Sequence, residues 1–131
     1  MQQQILLVDD DKDEAAIFEE AVSKLPFDHN FACNYAYSGE QALEILNHIR
    51  PHYIFVDLNM PKMNGIDFLF LAKSKIDSGY TKVYLSSVTI TDETCRLAIF
   101  AGAIGCIKKA NTIKEITDAL TTVLMTRTNN A

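Results

Sequence analysis

The sequence predicts an α/β protein: a doubly wound, five-stranded parallel sheet with helices on both faces, built as (βα)5. Two observations predict it. Short apolar runs recur five times, and each is followed by a segment with apolar residues at helical spacing. The 131 residues suit one domain that builds its core without disulfides.

The elements follow in order. Ile5, Leu6, Leu7 and Val8 read as a strand buried on both faces. Residues 12–25 read as a helix with Ile17, Phe18, Ala21, Val22 and Leu25 on one face, stopped by Pro26. Residues 31–36 form the second strand. Ser38 is placed to cap a helix through Ala42, Leu43, Leu46 and Ile49, which Pro51 stops. Tyr53, Ile54, Phe55 and Val56 form the third strand, ending in Asp57. The loop "LNMPKMNG" leads to a third helix with Ile66, Phe68, Leu69, Leu71 and Ala72 on its apolar face.

Val83, Tyr84 and Leu85 form the fourth strand, ending at Ser86 and Ser87. Thr91 or Asp92 caps a fourth helix carrying Leu97, Ala98 and Phe100. "AGAIGCIKK" supplies a turn and a fifth strand through Ile107. Thr112 caps the last helix, whose apolar face is Ile113, Ile116, Ala119, Leu120, Val123 and Leu124. The domain spans residues 1–131, with a core over 4–126 and a frayed polar tail over 127–131.

The totals exclude several functions. A net charge of −5 without a basic run argues against nucleic-acid binding. No leader-like start and no run long enough to span a bilayer are found, so a cytoplasmic protein without membrane contact is expected. Cys33, Cys95 and Cys106 are odd in number and lack C-x-x-C spacing, so they are expected to be reduced core residues. His48 and His52 stand four apart, but Pro51 falls between them and breaks the helix a metal pair would need.

In open parallel sheets, ligands sit at the carboxyl ends of the strands. Here those ends carry Asp9 and Asp10, Asp57, Ser86, and Lys108 with Lys109. Crowded carboxylates repel, and a divalent cation relieves the cost. Aspartates with a backbone carbonyl and waters make an oxygen-only site that suits Mg²⁺. A lysine and a hydroxyl beside it suit a phosphoryl group, and Asp57 can act as a nucleophile that forms an acyl phosphate. Asp11 is expected to cap the first helix rather than bind metal.

The motifs "ILLVDDD", "YIFVDLNMPKMNG", "VYLSS" and "AGAIGCIKK", in this order and spacing, resemble the receiver domain of two-component response regulators, in its stand-alone form. The resemblance implies a flavodoxin-like fold with strand order 2-1-3-4-5. By position it makes Asp57 the phosphoacceptor, and Asp9, Asp10, Asp57 and the Asn59 backbone carbonyl the metal site for Mg²⁺, with Mn²⁺ as a substitute. It also makes Ser86 the switch hydroxyl, Ser87 the small residue that admits the phosphoryl group, and Lys109 the phosphate-binding lysine.

The sequence departs from the family pattern twice. Ala110 replaces the proline that usually follows the lysine, and a trans bond is expected there. Cys106 replaces the aromatic switch residue of the fifth strand.

The resemblance implies a phosphorelay switch that takes its phosphoryl group from a histidine kinase or histidine phosphotransfer protein. Such a domain catalyses its own phosphorylation and slow dephosphorylation. It would signal in trans through the face of the fourth helix, fifth strand and fifth helix, to a downstream protein, as a monomer or a phosphorylation-linked dimer. Val88, two beyond Ser86, offers no polar group to guide water, so slow dephosphorylation is expected. The alternatives are weaker. A pseudo-receiver would bind protein without phosphorylation. An Asp-nucleophile hydrolase needs D-x-D, and position 59 is Asn. A flavin-binding flavodoxin needs a phosphate loop where this chain has three acids.

Overall fold

The computed structural model describes residues 2–129, with side chains through Leu124. Strands and helices alternate: β1 (Gln3–Val8), α1 (Lys12–Ser23), β2 (Phe31–Ala36), α2 (Gly39–Ile45), β3 (Tyr53–Asp57), α3 (Gly65–Ala72), β4 (Lys82–Ser87), α4 (Asp92–Phe100), β5 (Gly105–Lys108) and α5 (Ile113–Asn129). All pairings are parallel, in the order β2-β1-β3-β4-β5. The chain reverses its direction of travel across the sheet at β1 and β3, which opens a crevice above their carboxyl ends.

Strand alternation sorts the core into two layers. Leu6, Val8, Ile54, Val56 and Leu85 face α2, α3 and α4, where they meet Phe68, Leu69 and Ala98. Ile5, Leu7, Phe55 and Tyr84 face α1 and α5, where they meet Phe18, Val22, Leu120 and Leu124. Each fully buried Leu, Ile or Phe contributes about 1.5–3 kcal/mol. The layers, rather than the charged rim, therefore hold the sheet together.

Caps fix where the helices begin. Asp11, Ser38, Asn64 and Thr91 each accept a backbone N–H from the first turn of α1, α2, α3 and α4. Asn64 and Asp67 bond reciprocally in a capping box. Thr112 accepts from the Glu115 amide at the start of α5.

Several apolar positions expected in the core are exposed instead. Ile17 is 37% exposed and Ala15 takes its place against the sheet. Leu71, Leu97 and Phe100 are exposed as well. These are short helices that bury a narrow stripe, which Phe68, Leu69 and Ala72 fill on α3 and Ala98 fills on α4. α2 ends at Ile45, before Pro51, because the amides of Asn47 and His48 fold back to Glu44 and Ile45 and tighten the last turn. The expected tail is helical through Asn129, since no Gly or Pro interrupts α5; residues 130 and 131 lie outside the described residues.

The cysteines also depart from expectation. Cys95 of α4 and Cys106 of β5 form a disulfide, with Cα atoms 5.9 Å apart, and Cys33 is free. The turn after α4 brings β5 back beside it, a proximity that residue spacing alone does not reveal. No helix among the described residues is long and apolar enough to cross a membrane.

His52 has a structural role at the lower end of the sheet. Its Nδ1 accepts the Gln4 amide at 3.0 Å and its Nε2 pairs with the Tyr80 hydroxyl at 3.0 Å. His48 turns away to Glu44.

Candidate functional site

β1 delivers Asp9 directly into the crevice, and the Asp9 amide donates to the Ala36 carbonyl at 3.0 Å. Both oxygens of the buried Asp9 carboxylate are engaged. Oδ1 accepts the Asp11 amide at 3.0 Å, and Oδ2 accepts the Lys109 ammonium at 2.8 Å. Asp11 caps α1, as expected, and Asp10 between them faces solvent.

Asp57 closes β3 and is 6% exposed. Its Oδ1 lies 3.5 Å from Lys109 Nζ and 3.4 Å from the Asn59 amide. Lys109 follows β5, and its own amide donates to the Ser87 carbonyl at 2.8 Å, which fixes where the long side chain starts. No peptide bond among the described residues is cis, as expected for Lys109–Ala110. Lys109 reaches both acids while Lys108 stays exposed.

One carboxylate oxygen from each of Asp9, Asp10 and Asp57 can be drawn from a patch within which all three lie within 4.8 Å of one another. Three carboxylates against one ammonium leave two negative charges uncompensated. The donor set fits a hard divalent cation in both charge and chemistry.

Burial raises the Asp57 pKa from 3.8 to about 6; Lys109 opposes the rise and Asp9 adds to it. Leu7, Phe18, Phe55 and Ile107 wall the cavity beside the acids and offer the carboxylate no polar side-chain partner. Burial works to lower the Lys109 pKa, but its hydrogen bond to Asp9 and the charges of Asp9 and Asp57 outweigh this, and the pKa is raised. The lysine is a fixed positive charge here.

The two serines of β4 diverge. Ser86, in register with Asp57, lines the cavity that Asp9, Asp57 and Lys109 also line. Ser87 is buried, and its Oγ accepts from Asn59 Nδ2 at 3.4 Å. Ser87 shares a sheet face with Leu85, whose partner across β5 is Cys106.

Sequence reasoning missed Gly65. A Cβ built there would stand 2.6 Å from the Asp57 carbonyl oxygen and 2.8 Å from a Leu85 methyl. A glycine eight residues after the phosphoacceptor candidate, opening a helix, was the available signal. The Asn59 side chain was missed too, since only its carbonyl had been considered.

Comparisons with known proteins identify the family and the fold. The response regulator receiver domain model matches residues 5–121. The DNA-binding response regulator MtrA of Mycobacterium tuberculosis (strain ATCC 25618 / H37Rv) is 34% identical over 116 residues, 88% of this chain and 48% of that protein. The nitrate/nitrite response regulator protein NarL of Escherichia coli (strain K12) is 34% identical over 85 residues, 65% of this chain and 38% of that protein. The chain thus spans less than half the length of these relatives.

Among solved structures, chemotaxis protein CheY4 of Vibrio cholerae superposes with a TM-score of 0.78 at 21% identity, covering 94% of this chain and 99% of that one. A CheY-like receiver domain protein of Methanospirillum hungatei JF-1 gives 0.80 at 17% identity over 100% of both chains. These confirm the flavodoxin-like fold. With the family model matching nearly the whole core, the chain belongs to the response regulator receiver domain family of two-component systems.

Proposed function

We propose that this domain is a phosphorelay switch that accepts a phosphoryl group on Asp57 in a Mg²⁺-dependent reaction. The observation that carries the reading is the placement of one lysine between two buried aspartates on a rim with two uncompensated negative charges. Asp9, Asp10, Asp57 and the Asn59 carbonyl would hold the cation. When bound, it would neutralise the phosphoryl oxygens and orient them.

The Asp57 oxygen opposite the one facing Lys109 attacks phosphorus. The P–N bond of a donor phosphohistidine breaks, its electron pair returns to the imidazole, and an acyl phosphate forms. Lys109 then exchanges part of its contact with the acids for a phosphoryl oxygen. This needs positioning and charge neutralisation rather than a strong base.

We assign the switch hydroxyl to Ser87 rather than Ser86, which reverses the order expected from the sequence. Support comes from its bond to Asn59, beside the metal candidates, and from the face it shares with Leu85 and α4. A hydroxyl drawn toward Asp57 there pulls on the segment leading into α4 and shifts a two-state equilibrium. The donor is a histidine kinase or histidine phosphotransfer protein. The downstream protein docks on the α4, β5 and α5 face, where Leu97, Phe100 and Ile104 already present apolar area.

Intact-mass spectrometry after incubation with acetyl phosphate and Mg²⁺ tests this. One phosphoryl adduct is expected on the wild type, and none on Asp57→Ala or without Mg²⁺. No adduct on the wild type would reduce the domain to a protein-binding module.

A further inference from the structure

α4 is held to the molecule by very little. Ala98 is its one buried residue, while Leu97, Ile99 and Phe100 point outward. A buried methyl contributes far less than the Phe and Leu pairs that hold α3. The segment between β4 and α4 adds no anchor at Val88 or Thr89, which are exposed. Yet α4 carries one covalent tether, from Cys95 to Cys106.

The chain is shaped to bring that pair together. After α4, the Ala103 amide donates to the Ala98 carbonyl and the Gly102 amide to the Ile99 carbonyl, a Schellman turn with Gly102 at φ 120°. This turn sends β5 back alongside α4. The Cα separation of 5.9 Å falls within the range a disulfide spans. Both residues are half-buried, so neither is sealed from solvent. Cys106 pairs in register with Leu85, two residues before Ser87 on the same face.

We propose that Cys95 and Cys106 form a reversible dithiol–disulfide modification site that fastens α4 to β5 when oxidised and releases it when reduced. In the oxidising step, two thiols surrender two protons and two electrons to a low-molecular-weight disulfide, which leaves as two thiols. A dithiol reverses the step. Oxidised, the site pins the stretch from Val88 to Phe100 near its middle, at Cys95. Reduced, that stretch depends on Ala98, on the β4 junction and on Phe100, whose ring meets Phe70 and whose carbonyl accepts from Lys73 Nζ at 3.5 Å. The consequence for signalling rests on the function proposed above: the oxidised domain would take the phosphoryl group but move α4 less.

Thiol alkylation and hydrogen exchange test the site without reference to phosphorylation. After treatment with oxidised glutathione, the native protein should alkylate only at Cys33. After dithiothreitol it should alkylate at all three cysteines once denatured. Exchange across residues 88–100 should be about tenfold slower in the oxidised form than in the reduced form. Cys95→Ser and Cys106→Ser should match the reduced form and ignore the oxidant. Three alkylated cysteines after oxidation, a bridge that dithiothreitol leaves intact in the native protein, or equal exchange in both forms would each overturn the proposal. An acetyl phosphate incubation run in parallel separates the two readings: an absent adduct on the reduced protein counts against the phosphorelay, while the alkylation and exchange results still decide the thiol site.

Discussion

Lys109 Nζ donates to Asp9 Oδ2 at 2.8 Å, joining the residue after β1 to the residue after β5 across one hundred positions of sequence. The pair is largely removed from water, so its mutual attraction is offset by the cost of stripping both charges of solvent. Its value lies in poise. A lysine held here can move to a phosphoryl oxygen by a short displacement, and a cation can take over the carboxylate it leaves.

The raised pKa of Asp57 makes the metal-free protein sensitive to pH. The folded state holds this proton more tightly than an open chain does, so the associated stability is complete below about pH 4. It is lost as pH rises through about 6. Asp57→Asn cannot ionise and should exceed the wild type by about 2 kcal/mol at neutral pH without metal, and match it near pH 4. Mg²⁺ should reverse the order by stabilising only the wild type. Urea midpoints across this range, with and without MgCl₂, measure it; a pH-independent difference would contradict the account.

Lys109→Met keeps most of the side-chain volume but leaves two buried carboxylates without their ammonium. We expect a loss of about 2–4 kcal/mol in the absence of metal. Mg²⁺ should restore a larger share of stability in this variant than in the wild type. The rate of adduct formation from acetyl phosphate should fall roughly hundredfold. Denaturation with and without Mg²⁺, beside a mass-spectrometric time course, checks both parts.

Ser86→Ala and Ser87→Ala should separate cleanly. Ser87→Ala removes the acceptor of the Asn59 amide and should cost about 1 kcal/mol. It should still permit phosphorylation, yet abolish the phosphorylation-linked change in hydrogen exchange over α4. Ser86→Ala should retain that change. If the response is lost in Ser86→Ala and kept in Ser87→Ala, the switch belongs to Ser86.

Much of this protein was legible in its residues. The apolar runs and capping residues located all five strands and helices, because short apolar runs and Asp, Ser or Thr caps are local signals; the Asn64 cap of α3 emerged only from the structure. The convergence of Asp9, Asp57 and Lys109 was legible for a topological reason: parallel strands bring their carboxyl ends to one rim. What stayed hidden depends on packing depth. Leu97 and Phe100 fit a helical stripe, but α4 lies so shallowly that only Ala98 goes under. Ser86 and Ser87 are chemically alike, and only the register of β4 tells their faces apart. The Cys95–Cys106 pair needed the turn that follows α4.

Gly65 gives the candidate site a mechanical property of its own. With no room for a methyl group between the start of α3 and the backbone at Asp57 and Leu58, helix and strand touch directly. That contact works as a gauge block, setting the spacing of the two elements by a single atomic thickness. Any larger residue would have to lift the whole helix, carrying the Asn59 loop with it. The tolerances of the proposed phosphoryl pocket are therefore set on the far side of the strand that bears Asp57, away from its carboxylate.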